Sequence, residues 1–413
     1  MTTDETSAEP APPVADEPAT PPPPATARLD SIDAYRGLVM FLMMAEALRL
    51  REMAKNFPES KVWKFLAEQQ SHVEWAGCVV HDMIQPSFSF LVGVALPFSI
   101  ASRMAKGQSK GKMTAHALWR GLVLVLLGVF LRSVNKTQTN WTFEDTLSQI
   151  GLGYPILFWL GWQSRKVQGG ALAAILLGYW LLFAAYPAPG SDFDFPAHGV
   201  EADWPHHPTG YAAHWDKNSN PAWAFDHWFL NLFPREKPFE YNRGGYATLS
   251  FIPTLATMIL GLMAGQVLRD RRQPWATVGR LVLAGIVVTA VGWGLGALGV
   301  CPVVKRIWTP SWTLYSGGLC FLALAGFYAV MDVLGWKAWA FPLRVIGMNS
   351  IAAYVLAHLV ENFVVQALRT HLGPDVFQTF GTPYEPFVQG SAILSILWII
   401  LFWMYRRRLF LKV

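Results

Sequence analysis

The sequence predicts an all-α integral membrane protein, a bundle of about ten transmembrane helices, some kinked, around an internal cavity. Three observations carry that expectation. Charged residues fill 15% of the 413 positions, against roughly 25% in an average soluble protein. Hydrophobic residues fill 53%, with 19 Trp and 26 Phe, and the mean hydropathy is +0.28. The apolar residues also gather into stretches near the ~20 residues that cross a bilayer core. Such a composition excludes a disordered, fibrous or nucleic-acid-coating chain. Cys78, Cys301 and Cys320 are too few for a disulfide framework or a four-thiolate metal site.

Residues 1–27 hold eight prolines and five acids without Lys or Arg. No apolar core follows a basic start, so this is not the pattern of a cleavable signal peptide. A disordered cytoplasmic tail is expected there, followed by one membrane domain over 28–413. Ten apolar stretches follow, at about 36–50, 78–101, 115–134, 146–162, 168–186, 247–268, 277–298, 311–334, 340–360 and 386–405. The first is short and the ninth carries Arg344 and His358. Pro86, Pro97, Pro155 and Pro253 fall inside the second, fourth and sixth. A proline inside a helix frees a carbonyl that needs a partner within the protein, which favours kinked helices around a cavity. GLMAG (261–265) has small residues four apart, a pattern for close helix packing.

Lys/Arg bias sets the expected orientation. With the N-terminus inside, the inner segments carry 15 Lys/Arg in 52 residues and the outer ones 12 in 136. Both termini are therefore expected in the cytoplasm, with the chain in the cytoplasmic membrane. The outer segment 187–245 holds Trp204, Trp215, Trp223 and Trp228, five histidines and eight prolines. A loop of that length is usually functional or mobile. His206, His207 and His214 with Asp203 and Asp216 match no established zinc spacing, so no metal is expected.

Ionisable residues within or beside spans are functional candidates, because burying them is costly. The set is Glu46, His81, Asp82, Arg132, Asp332, Arg344, His358 and Glu361. The densest stretch is SHVEWAGCVVHDMIQPSFSFLVGVALPFS (71–99). Ten helical residues rise about 15 Å, so His72 and Asp82 meet only if the chain folds back near Gly77. A carboxylate on one ring nitrogen would leave the other as a general base or nucleophile. Read alone, a lone outer histidine such as His72 is more often an interfacial residue.

Five blocks in order extend this reading: RLDSIDAYRGLVMFLMM (28–44), the histidine stretch, LSFIPTLATMILGLMAGQVL (249–268), KRIWTPSWTLYSGGL (305–319) and IGMNSIAAYVL (346–356). Together they resemble the heparan-α-glucosaminide N-acetyltransferase family of transmembrane acyltransferases and its bacterial relatives. The resemblance implies ten helices with both ends inside. It also implies transfer of an acetyl group from cytoplasmic acetyl-CoA to an amine or hydroxyl of a glycan or amino sugar outside. It places the functional histidine on His72 and its partner acid on Asp82. Arg36, Glu46, Trp75, Trp308, Asn349 and His358 are then expected substrate contacts, with Asn349 and Trp308 as donors to the carbonyl oxygen. Arg103, Lys112, Arg165 and Lys166 are expected contacts of the CoA phosphates, although cationic inner loops are normal in any membrane protein. Two positions depart from the family pattern: Ala47 stands in place of an asparagine, and Gln149 in place of an arginine. The expected partners are the lipid bilayer and the acceptor, with homo-oligomers allowed and no nucleic acid. A transporter or flippase for a sugar-linked or acidic solute is the competing reading.

Overall fold

The computed structural model describes residues 29–269 and 273–411. The tail expected over 1–27 lies outside them. Helix α1 (Asp30–Met44) ends in a 3-10 turn, and Arg49, at φ 49°, redirects the chain into the short α2 (Leu50–Asn56) and α3 (Lys61–Gln69). Then come α4 (Ile84–Ala105), α5 (Lys110–Ser133), α6 (Thr146–Leu160) and α7 (Arg165–Ala185). The long loop contains α8 (Pro221–Phe229) and leads to α9 (Phe251–Leu268), α10 (Pro274–Ala297) and α11 (Pro310–Phe327). A bent pair, α12 (Phe341–Met348) and α13 (Ser350–Leu359), precedes α14 (Glu361–Leu372) and α15 (Glu385–Arg406). Among the described residues there is no strand, only an isolated antiparallel bridge between Ala76 and Val304.

Each of the ten expected stretches coincides with one of these helices or with the bent pair. Length and composition support fewer crossings: seven helices qualify, or eight if the pair bent by 70° is one span. Helices α1 and α6 have 15 residues each. At 1.5 Å per residue each rises about 22 Å, less than a ~30 Å hydrocarbon core. Two prolines also behave differently from expectation. Pro97 and Pro155 lie inside helices, but Pro86 and Pro253 are the third residues of α4 and α9. A first-turn proline lacks an N–H that would have had no helical partner anyway, so it starts a helix rather than kinking it.

Small residues let the central helices touch along their backbones. A Cβ on Gly93 of α4 would collide with the carbonyl oxygen of Met258 in α9, and one on Gly261 with that of Phe90. This is the close packing that GLMAG predicts. We expect Gly93→Leu to cost at least about 1–3 kcal/mol through overpacking. The check is the melting temperature in detergent, and an unchanged value would contradict this packing.

The 187–245 loop is built into the molecule. Trp215 is fully buried and stacks on Phe183 of α7, and its carbonyl accepts a hydrogen bond from Trp75 Nε1 at 3.1 Å. His214 Nδ1 meets the carbonyl of Tyr186, and His207 Nδ1 meets Asp216 at 2.7 Å. His214 and Trp215 thus anchor the loop to the α7 end and His207 braces it internally, while His206 and His227 are exposed.

Candidate functional site: a histidine chamber and a basic vestibule

The site begins with a reversal between α3 and α4. Gly77 takes φ 128°, a backbone region that side chains disfavour, and its N–H donates to the carbonyl of Val303 at 3.0 Å. The 70–79 segment is therefore pinned to the 298–309 loop. Residues Val80–Met83 form a 3-10 turn before α4 starts, which turns Asp82 back toward the incoming chain. Asp82 Oδ2 accepts from the N–H groups of Val73 and Val79, both at 3.3 Å. Its Oδ1 lies 2.7 Å from His72 Nδ1. The fold-back expected near Gly77 is what closes the distance.

Lys305, on the facing loop, completes the cluster. Its Nζ lies 3.1 Å from His72 Nδ1 and 3.2 Å from Asp82 Oδ1. Both Lys305 and Asp82 are buried, while the His72 side chain is 36% exposed to the space above it. Burial pushes the Lys305 ammonium below its ordinary range, with Asp82 opposing. Burial also holds His72 below its ordinary range; the Asp82 hydrogen bond opposes this and the Lys305 charge adds to it. The next residue fastens this loop: Arg306 donates to the carbonyls of Gly244 and Val73 at 2.7 and 3.1 Å.

His72 faces a cavity of about 570 Å³, whose wall includes Glu46, His81, Arg132, Glu144, Lys305 and His358. The rings of His72 and His81 are 4.6 Å apart, and His81 Nε2 is 3.1 Å from Glu46 Oε1. The short α1 and α6 both stop at this cavity: Met43 and Met44, at the end of one, and Thr146, at the start of the other, line it. A second cavity of about 660 Å³ lies beside the last described residues of the chain. Arg36, Arg103, His116 and Arg120 line it, together with Phe410 and Leu411. Arg120 donates to the Tyr154 hydroxyl at 3.3 Å, and its buried Nε has no protein partner. Phe88 of α4 lines both cavities. One aromatic side chain therefore stands between a chamber containing His72 and a vestibule lined by three arginines.

Comparison with known proteins follows the same lines. No family model matches the chain. The human protein named heparan-alpha-glucosaminide N-acetyltransferase is 24% identical to it over 430 residues. The mouse protein of the same name is 24% identical over 431. The chain is a distant relative of these acetyltransferases. Each alignment covers 94% of this chain, which spans about 60% of the length of the curated relatives it matches.

Set beside these heparan-α-glucosaminide N-acetyltransferase relatives, the expected site residues divide by place. His72, Glu46 and His358 line the chamber with Ala47, and Asp82 stands behind His72. Arg36 and Arg103 line the vestibule. Gln149, the other departure, lies one contact behind the chamber wall, its Oε1 accepting from Gln85 at 2.9 Å and Thr254 at 2.8 Å.

The remaining expected residues lie elsewhere. Trp75 is buried as the loop anchor. Trp308 is buried with Nε1 donating to Thr257 at 3.1 Å. Asn349, at the α12–α13 bend, donates to the carbonyl of Leu409 and accepts from the N–H of Leu411. These two expected oxyanion donors are thus absorbed in packing, and Asn349 is at the vestibule end. Lys112, Arg165 and Lys166 are exposed and absent from the vestibule wall. Arg120 and Lys305 escaped sequence reasoning. Arg120 sits within an apolar helix and carried a detectable signal, a charge inside a span. Lys305 carried none, since a lysine in a loop ordinarily faces water.

Asp226 of α8 binds the loop to the membrane domain, its Oδ2 accepting from the Thr248 N–H at 2.9 Å while Oδ1 has no partner. Burial pushes its carboxyl up to about 7. A folded-state value above the unfolded one means stability present at low pH and lost as pH rises through about 7. The wild-type melting temperature should therefore fall more between pH 5 and pH 8 than that of Asp226→Asn. Equal falls would contradict this.

Proposed function

We propose that the protein is a transmembrane acyltransferase that moves an acetyl group from acyl-CoA in the vestibule to an amine or hydroxyl of a glycan or amino sugar in the His72 chamber. The observation that carries the reading is the pair of cavities meeting at Phe88, one holding a histidine–aspartate pair and the other three arginines. Guanidinium groups suit phosphate oxygens, with which they form paired charge-assisted hydrogen bonds. The relatives' printed names, the denser Lys/Arg content of the segments on the vestibule side and the apolar helices support the same picture. The vestibule then opens to the cytoplasm, where both termini lie, and the chamber opens to the far side of the cytoplasmic membrane.

The chemistry follows from the orientation of His72. With Nδ1–H donating to Asp82, Nε2 carries the free lone pair. As the acceptor nitrogen or oxygen attacks the thioester carbonyl carbon, Nε2 removes its proton. The tetrahedral adduct collapses, the C–S bond breaks, and the proton passes from Nε2 to the departing CoA sulfur. The narrow pantetheine arm threads past Phe88 while the polyanionic nucleotide stays among the arginines. Acetylated amino sugar and free CoA should form when purified protein meets labelled acetyl-CoA and acceptor. A transporter would release no CoA, and wild-type protein without CoA release would end this reading.

A further inference from the structure

The three polar atoms around His72 cannot all be satisfied by one protonation pattern. Nδ1 donates to Asp82 Oδ1 when it carries the proton and accepts from Lys305 when it does not. We propose that Lys305 is a positioning residue that balances the charge of Asp82, so that His72 enters the transfer as a neutral imidazole with Nδ1–H on Asp82 and Nε2 open to the chamber. The proposal rests on the acyltransferase reading and adds a residue to it.

The argument is one of charge in a buried place. Lys305 and Asp82 are 3.2 Å apart, with 5% and 1% of their side chains exposed. As ammonium and carboxylate they sum to zero, and a neutral His72 keeps the group at zero. Protonating His72 would put a second cation 3.1 Å from Lys305 Nζ, an unfavourable arrangement at low local dielectric. Remove the lysine and Asp82 stands alone beside His72, the arrangement that stabilises imidazolium. The proton taken from the acceptor is likewise held weakly in the intact cluster, which favours its passage to the leaving thiolate. Burial and the Lys305 charge both push His72 toward its neutral form, against the opposing Asp82 hydrogen bond.

Other titratable groups near His72 do not supply that balance. His81 faces its ring and is itself paired with Glu46. Tyr246 stands edge-on, its ring centre 6.5 Å away, and burial keeps its hydroxyl protonated. Cys78 is pushed up to about 12 by burial and stays a neutral thiol. Arg306 is directed to backbone carbonyls. Arg132 and Glu144 also line the chamber, where burial pushes the Glu144 carboxyl up and the Arg132 charge opposes it.

The test reads His72 directly. Diethyl pyrocarbonate modifies an imidazole only in its neutral form, and peptide mass spectrometry follows modification of His72 in the full-length protein from pH 5 to 8. The wild-type midpoint should lie below the ordinary value of about 6.5. Lys305→Met should raise it by roughly 1 pH unit or more, and the acid limb of acetyl transfer should move by the same amount. Lys305→Arg, which keeps the charge, should return the midpoint to within about 0.5 unit of wild type, small beside the ~1 unit scatter of histidine values among proteins. Unmoved midpoints in Lys305→Met, with uniformly lower activity, would overturn the proposal. If Lys305→Met does not fold, a wild-type midpoint of about 7 or higher, above the ordinary histidine value, overturns it alone. The modification midpoint is independent of transfer, so a shifted midpoint in a protein that releases no CoA would count against the acyltransferase reading only.

Discussion

His72→Ala should lower acetyl transfer by about 10³-fold while leaving acyl-CoA binding within a few-fold of wild type; a positioned general base typically contributes 10²- to 10⁴-fold. The prediction follows from place as much as from chemistry. The His72 side chain is held by Asp82 at its base and faces the chamber, whereas the proposed nucleotide contacts, Arg36, Arg103 and Arg120, belong to the other cavity. Loss should therefore fall on kcat, with KM for acyl-CoA little changed. Asp82→Asn should lower kcat by a smaller factor, since Nε2 stays in the chamber while its tautomer is no longer enforced. A His72→Ala enzyme that keeps more than about a tenth of wild-type turnover would show that His72 is not the base.

The second large effect belongs to the vestibule. Replacing Arg103 and Arg120 together with alanine should raise KM for acyl-CoA roughly 100-fold, since hydrogen bonds to charged groups contribute about 1.5–3 kcal/mol each. Turnover at saturation should change little, because neither residue reaches the chamber. Arg120 is the sharper probe, as its Nε is buried without a protein partner and its ring contact with Tyr154 fixes the guanidinium. Lys112→Ala with Lys166→Ala should shift KM by less than about 3-fold, since exposed, water-screened charges contribute little. A larger shift from that exposed pair than from the arginines would move the nucleotide out of the vestibule.

Much of this was legible in the sequence, for physical reasons that differ from residue to residue. Hydropathy runs marked the helices because a bilayer demands long apolar stretches. The same rule marks ten stretches where seven or eight helices qualify by length and composition, the difference being α1 and α6, which have 15 residues each and stop at the chamber. His72 and Asp82 could be paired because Gly77 between them permits the reversal that brings them to 2.7 Å. Lys305 could not be found this way: its partner is 223 positions away and its loop has no periodicity. The bonding of Trp308 and Asn349 was hidden for the converse reason. A motif marks a position but not what its side chain bonds, and here Thr257 and the C-terminal backbone take them.

The central claim is transfer across the membrane from one cavity to the other. It is tested most directly in sealed proteoliposomes, with acetyl-labelled CoA on the vestibule side and an amino-sugar acceptor on the chamber side. Labelled acetyl product should accumulate with the acceptor in wild-type vesicles and be absent with His72→Ala. Product that forms only when donor and acceptor share one side, or equally with His72→Ala, would contradict the account.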